Sequence, residues 1–224
     1  MREYIVFVEK VIDFFLPSQC FLCHNKAFGN NVCAECENLV RFVKPPYTEE
    51  NENSLILKHR SLALYEGEWK KLILAYKFSK NLYLSKDFLR FIHEKFTDVN
   101  FQEYDFIIGV PISSNRLIER GFDQVDFIAQ KISHKYKVKY VRNALLKIRE
   151  TLSQNELNQQ QRLSNLKNAF ILHEKHKNVF YNKKILLIDD VKTTGATLQE
   201  CAKQIQLAKP LSIHSFTLAY TPLS

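Results

Sequence analysis

Four consecutive apolar residues, Ile185-Leu-Leu-Ile188, run directly into two carboxylates, Asp189 and Asp190, and then into Val-Lys-Thr-Thr-Gly-Ala-Thr197. An unbroken apolar run of this kind reads as a strand covered on both faces, the habit of parallel sheets flanked by helices. Two adjacent carboxylates cannot be neutral core residues. They belong at the strand's carboxyl end, where open α/β sheets bind ligands. The following turn carries hydroxyls on Thr193, Thr194 and Thr197 and a glycine at 195, and it opens a helix. Free N–H groups at such a helix start cradle anions. A phosphate suits the loop, and the acid pair suits the vicinal hydroxyls of a ribose, or Mg²⁺. The segment is neither a Walker loop nor a G-x-G-x-x-G fingerprint.

The same alternation runs through the rest of the C-terminal part. Strands are expected at 61–65, 105–112, 169–173, 184–189 and 212–219, and helices at 69–78, 116–136 and 197–207. The fold class expected is therefore α/β with a parallel sheet. At 46% hydrophobic residues, with only 5 Gly and 6 Pro in 224, the chain is not collagen-like, linker-like or disordered. No apolar run approaches the ~20 residues of a membrane span. Glu9, Lys10 and Asp13 interrupt any N-terminal signal core, so a cytoplasmic location is expected. The net charge of +8 suits a polyanion such as nucleic acid, or an anionic membrane surface. A merely Lys-rich chain would carry it as well.

Four of the five cysteines stand as Cys20-Phe-Leu-Cys23 and Cys33-Ala-Glu-Cys36. Two such knuckles bring four thiolates to one tetrahedral point, as structural Zn²⁺ requires. The competing readings are a disulfide pair or a redox dithiol, both out of place in a cytosolic chain with the motif doubled. With four protein ligands, no coordination position stays open for catalysis. Cys201 reads as an ordinary core thiol. Residues 2–16 form an amphipathic pattern ended by Pro17, to be packed inward, laid on a membrane surface or docked on a partner. A polar, proline-marked stretch, Lys44 to Ser54, reads as a linker. The division expected is a helix and cysteine module over 1–45, a linker over 46–60 and the α/β domain over 61–224. Around the helix at 69–78, Lys70, Lys71, Lys77 and Lys80 interleave with Tyr76, Phe78 and Tyr83. That mixture suits single-stranded nucleic acid, with charge for phosphates and flat faces for bases. It equally suits a solvated helix face with its aromatics in the core.

The 185–197 segment resembles the phosphoribosyl diphosphate signature of the type I phosphoribosyltransferases: a hydrophobic strand, two acids, then T-T-G-x-T. That resemblance implies that Asp189 and Asp190 hold ribose hydroxyls while Thr193, Thr194, Gly195, Ala196 and Thr197 wrap the 5′-phosphate. The likeness narrows further. Val110-Pro-Ile, Arg116 and Arg120-Gly-Phe-Asp-Gln124 resemble a run found in the ComF family of competence proteins, with Asp123 in place of the usual Asn. Arg149-Glu-Thr151, Gln154, Leu157, Arg162, Asn165 and Ala169-Phe170 match that family's spacing, as do the four cysteines and Tyr76-Lys77-Phe78. One departure is Leu207-Ala-Lys-Pro210, where family members usually carry a glycine.

Membership would imply a phosphoribosyltransferase-like fold, a site for phosphoribosyl diphosphate with Mg²⁺, and a role in handling single-stranded DNA during natural transformation. The partners implied are other competence proteins, such as a DNA-translocating helicase or an inner-membrane channel, with peripheral attachment to the inner membrane left open. Arg116 and Arg120 are placed to meet a diphosphate, or else to form surface ion pairs. The stretch 147–165, with Lys147, Arg149 and Arg162, has the position of a loop that closes over the ligand. No histidine spacing points to a general base. A true phosphoribosyltransferase acting on a small amine or nucleobase is the alternative, and a sensor of phosphoribosyl diphosphate a third. The Arg116/Arg120 helix and the stretch Lys131–Arg142 are further candidate DNA surfaces.

Overall fold

The computed structural model describes residues 19–43, 54–79, 81–97, 99–149 and 166–222. The amphipathic segment 2–16, the linker stretch 44–53, Lys80 and the loop residues Thr151, Gln154, Leu157, Arg162 and Asn165 lie outside them. Within the described residues the helices and strands follow in the order α1 (Ala34–Asn38), β1 (Lys58–Leu64), α2 (Gly67–Phe78), α3 (Leu84–Lys95), β2 (Phe106–Gly109), α4 (Ser114–Arg120), α5 (Gln124–Tyr136) and β3 (Lys139–Tyr140). They continue with β4 (Leu145–Lys147), β5 (Phe170–Leu172), α6 (Lys177–Phe180), β6 (Lys184–Lys192), α7 (Ala196–Gln206) and β7 (Ser212–Tyr220).

Among the described residues, five strands form one sheet in the order β1-β7-β6-β2-β3, every neighbour parallel. Alternate residues of the central strands feed two cores, which is why those strands are apolar throughout. Ile107, Leu186, Ile188, Phe216 and Leu218 pack with α2, α3 and α5, where Trp69, Phe88, Phe91 and Ile128 are fully buried. Phe106, Ile108, Ile185, Leu187 and Ile213 pack with Leu198, Cys201, Ala202 and Ile205 of α7. The Trp69 indole N–H donates to the Leu218 carbonyl at 2.9 Å, tying α2 to β7.

The structure departs from the expectation in several places. The helix expected over 116–136 is two helices. Gly121 takes the left-handed conformation (φ 77°) and ends α4, and Asp123 then caps α5 by accepting from the N–H groups of Val125 and Asp126, each at 2.9 Å. The segment around 170 does not join the parallel sheet; β4 and β5 pair antiparallel on their own. The strand bearing the acid pair runs on to Lys192, and β1 starts at Lys58, three residues before its expected start. Lys209, within the stretch 207–210, adopts φ 51°, the left-handed conformation that favours glycine. Among the described residues, no helix is long and apolar enough to cross a membrane.

Candidate functional site

The crevice is made by a difference in strand length. β2 accompanies β6 only to the pair Gly109↔Ile188, whereas β7 follows β6 to Lys192↔Tyr220. Beyond Ile188, β6 therefore has one open side, and Asp189 and Asp190 sit there. This is also where the strand order reverses. From β2 the chain moves outward to β3, and from β6 it moves the other way to β7, so the two following loops part and leave a cavity.

That cavity, about 440 Å³, gathers Asp189, Asp190, Thr193 and Thr197 from β6 and the start of α7, and Arg116 and Arg120 from α4. Lys77, Phe78 and Tyr65 line it from the β1–α2 side, with Lys147 from β4. Thr194, Gly195 and Ala196 make the turn that carries Thr193 and Thr197 into place. Gly195 has φ 76°, a conformation that selects glycine, and a Cβ there would stand 3.1 Å from Lys192 Cε, so that side chain would have to shift. The Thr194 hydroxyl accepts from the Ala196 N–H at 3.4 Å.

The acid pair is not symmetrical. Lys77 Nζ lies 2.8 Å from Asp190 Oδ1, with both side chains more than four-fifths buried. Gln124 Nε2 donates to Asp190 Oδ2 at 2.8 Å. Burial works to raise the Asp190 carboxyl, but Lys77, Gln124 and Arg120 outweigh it and leave it below its ordinary value. Burial and the neighbouring Asp190 charge push the Asp189 carboxyl the other way, up to about 8. Two polar atoms in this wall, Arg120 Nε and Gln124 Oε1, are buried without a hydrogen-bond partner among the described residues. Unsatisfied buried groups call for an explanation, and a ligand in the cavity supplies one.

The aromatic and basic residues around α2 do not form one surface. Tyr76 is a correction to the sequence reading. It is fully buried, its hydroxyl donates to the Gln124 carbonyl at 2.9 Å, and its ring meets Phe88 and Phe122 edge-on, so it cannot stack on a base. Lys77 is held inside the cavity by Asp190. Lys71 is bonded to Glu68 at 2.7 Å on the outside of the helix, and Lys70 lies 5.6 Å over the Tyr65 ring. Phe78 is 54% exposed at the cavity mouth, with the Arg120 guanidinium 4.7 Å from its ring. Sequence reasoning missed Lys77 and Gln124 as cavity residues. A lysine set between two aromatics near a helix end was the available signal for the first.

The cysteines converge. Their four Sγ atoms lie within 4.8 Å of one another, and Cys23 Sγ is 3.6 Å from Cys33 Sγ. A tetrahedral ion bonded at ~2.3 Å holds its sulfurs about 3.8 Å apart, so the cluster fits a metal ion and not a disulfide pair. Burial opposes ionisation of Cys20, yet the backbone N–H groups of Cys23, Cys33 and Leu22 outweigh it and bring that thiol down to about 7. Burial and the three other sulfurs push Cys36 well up. The module is clamped to α3. The buried Asp87 carboxylate accepts from the Asn31 backbone N–H at 3.1 Å and from its side-chain amide at 2.7 Å, and Glu37 is bridged by Arg90 and Lys95 at 2.7 and 2.8 Å.

No family model matches the chain. It is 32% identical over 162 residues to the competence protein ComFC of Streptococcus pneumoniae, covering 72% of this chain and 68% of that protein. Its identity to competence protein F of Haemophilus influenzae is 26% over 214 residues, covering 86% of this chain and 92% of that protein. The DNA utilization protein YhgH of Salmonella typhi is 34% identical over 99 residues, or 44% of this chain and 42% of that protein.

Proposed function

The chain belongs to the ComF family, and on that premise we propose that it handles incoming single-stranded DNA during natural transformation, with a phosphoribosyl diphosphate-type pocket at the carboxyl end of its sheet. The relatives' names, competence protein and DNA utilization protein, support the role in DNA uptake. The observation that carries the pocket is the meeting of Asp189, Asp190, Thr193 and Thr197 with Arg116 and Arg120 around one cavity of about 440 Å³. In this reading the acid pair accepts from the two ribose hydroxyls. The turn from Thr193 to Thr197 donates to the 5′-phosphate, and Arg116 and Arg120 face the diphosphate with its Mg²⁺. The surrounding architecture is then that of a type I phosphoribosyltransferase. Structural zinc is the ion proposed for the cysteine cluster, since four thiolates suit Zn²⁺ and leave it no open position. Its partners are single-stranded DNA and other proteins of the uptake machinery, a DNA-translocating helicase or an inner-membrane channel.

The test is thermal. Phosphoribosyl diphosphate with Mg²⁺, at a hundred times its dissociation constant, is expected to stabilise the protein by about 2.7 kcal/mol. The double variant Asp189→Ala/Asp190→Ala is expected to lose that stabilisation while keeping its fold. An undiminished shift in the double variant would show that the ligand binds elsewhere. A second reading, phosphoribosyl transfer to a small amine or nucleobase, is favoured by one observation. Asp189, partly open to the cavity, has its carboxyl pushed up to about 8 and so exchanges a proton near neutral pH. Release of diphosphate on addition of an acceptor would favour transfer over binding alone.

A further inference from the structure

Between Asp126 and Glu150 the chain has no acidic residue for 23 positions, yet it carries Lys131, Lys135, Lys137, Lys139, Arg142, Lys147 and Arg149. The first of these lie on α5, which packs beside α3. Between the two helices runs a groove of about 400 Å³, lined by Leu89, Phe127, Gln130, Lys131, His134 and Lys135. Among the described residues no carboxylate lines it. Its apolar floor is Leu89 and Phe127, with Lys131 Nζ 5.0 Å from the centre of the Phe127 ring. The carboxylates nearby are already engaged. Asp126 is held by the Tyr140 hydroxyl, by Gln130 at 2.6 Å and by Arg142 at 3.2 Å, and Glu94 on α3 is paired with Arg90 at 3.2 Å.

Other lysine-rich surfaces are different. On the outside of α2, Lys71 is neutralised by Glu68, and at the amino end of the sheet Lys183 and Lys184 face Asp105 and Glu103. A floor of apolar and aromatic side chains walled by cations wants a ligand that offers a flat unpaired face and phosphates together. A duplex hides the faces of its bases and would meet only the walls.

We propose that the α3–α5 groove is the surface on which this protein holds single-stranded DNA, with Phe127 and Leu89 under the bases and Lys131, His134 and Lys135 on the phosphates. The proposal rests on the DNA-handling reading above and names where that binding takes place. Charge complementarity selects the occupant, because among the described residues the groove is lined by cations and by no acid.

The experiment measures binding of a fluorescent oligothymidylate to the full chain across a salt series. Lys131→Gln with Lys135→Gln is expected to reduce the slope of log affinity against log salt by about 1.4, at roughly 0.7 per phosphate contact. Phe127→Leu is expected to weaken binding by about fivefold or more with the slope unchanged. Lys183→Gln with Lys184→Gln, on the far end of the sheet, is expected to stay within about twofold of wild type, since those cations are already paired. Unchanged melting temperatures in the lysine variants exclude unfolding as the cause. Wild-type binding with an undiminished slope in the groove variant overturns this site while leaving the DNA reading intact. No binding by the wild type at about 50 mM salt overturns that reading, and this site with it.

Discussion

The acid pair and the cysteine cluster both crowd like charges, and they relieve the crowding in opposite ways. At Asp190 the chain supplies its own counter-ion, Lys77 at 2.8 Å, with Gln124 beside it. Among the cysteines the sulfurs act on one another, and burial together with three neighbouring sulfurs holds the Cys36 thiol far from ionisation. A site that brings its own cation is prepared for hydroxyls and anionic groups. A cluster of four converging thiols is relieved by a metal cation. Similar crowding thus points to different ligands, and what separates them is where the compensating charge comes from.

The largest effect belongs to the cysteines. Cys36→Ser is expected to release the metal and undo the module, because structural zinc in finger peptides contributes roughly 10–16 kcal/mol of apparent binding energy. Metal analysis and circular dichroism check it. Cys201→Ser, equally deep in the protein but away from the cluster, is expected to keep one ion per chain.

Next in size is Lys77→Met, which strands a buried carboxylate and should cost about 3–5 kcal/mol in denaturant titrations. Adding Asp190→Asn should restore much of it, since the stranded charge is gone. If Lys77→Met alone is neutral, the acid pair does not depend on its built-in counter-ion and the contrast with the cysteines fails.

A pH-dependent effect belongs to Asp189. Its carboxyl is raised from 3.8 to about 8 in the folded protein, so the native state holds that proton more tightly than the unfolded chain. Its contribution to stability is full below about pH 4 and is lost as pH rises towards 8. Asp189→Asn should flatten that part of the stability–pH curve relative to wild type, read as melting temperatures at pH 5 and pH 8.

The smallest effect expected is that of Lys71→Ala. Its pair with Glu68 leaves the lysine side chain 64% exposed, and exposed pairs contribute about 0.2–1 kcal/mol at most. A large loss there would mean that α2 carries charge contacts as binding as those in the cavity.

How much was legible in the sequence depended on how local the signal was. The knuckles are short-range patterns, and the four sulfurs do meet. The run Ile185–Ile188 announced a strand covered on both sides, and it stands near the centre of the sheet. Gly121 was visible too, but the apolar spacing on either side of it ran in phase and hid the break between α4 and α5. The strand expected at 169–173 stands there as β5, but its antiparallel partner β4 was missed for lack of length, since three residues cannot display a period. Tyr76 failed for another reason. Its place beside lysines is a fact of sequence, whereas its burial depends on Phe88 of α3 and Phe122 before α5, which only tertiary packing brings to it. Lys77 was misread likewise, since its partner lies on a strand more than a hundred residues away.

The strand order carries a consequence for how such a chain is made. Of the strands among the described residues, β7 is the last to leave the ribosome, yet it stands between β6 and β1, pairing Lys58 with His214. Until residues 212–220 emerge, β1 has no neighbour in the described sheet, and Leu62, Trp69 and Ile73 lack the strand against which they close. Assembly of that half must therefore wait until residues 212–220 have been made, bringing together segments some 156 residues apart. A nascent chain stalled short of 212 should be held by chaperones and cut readily by protease, while the release of ten more residues makes it resistant.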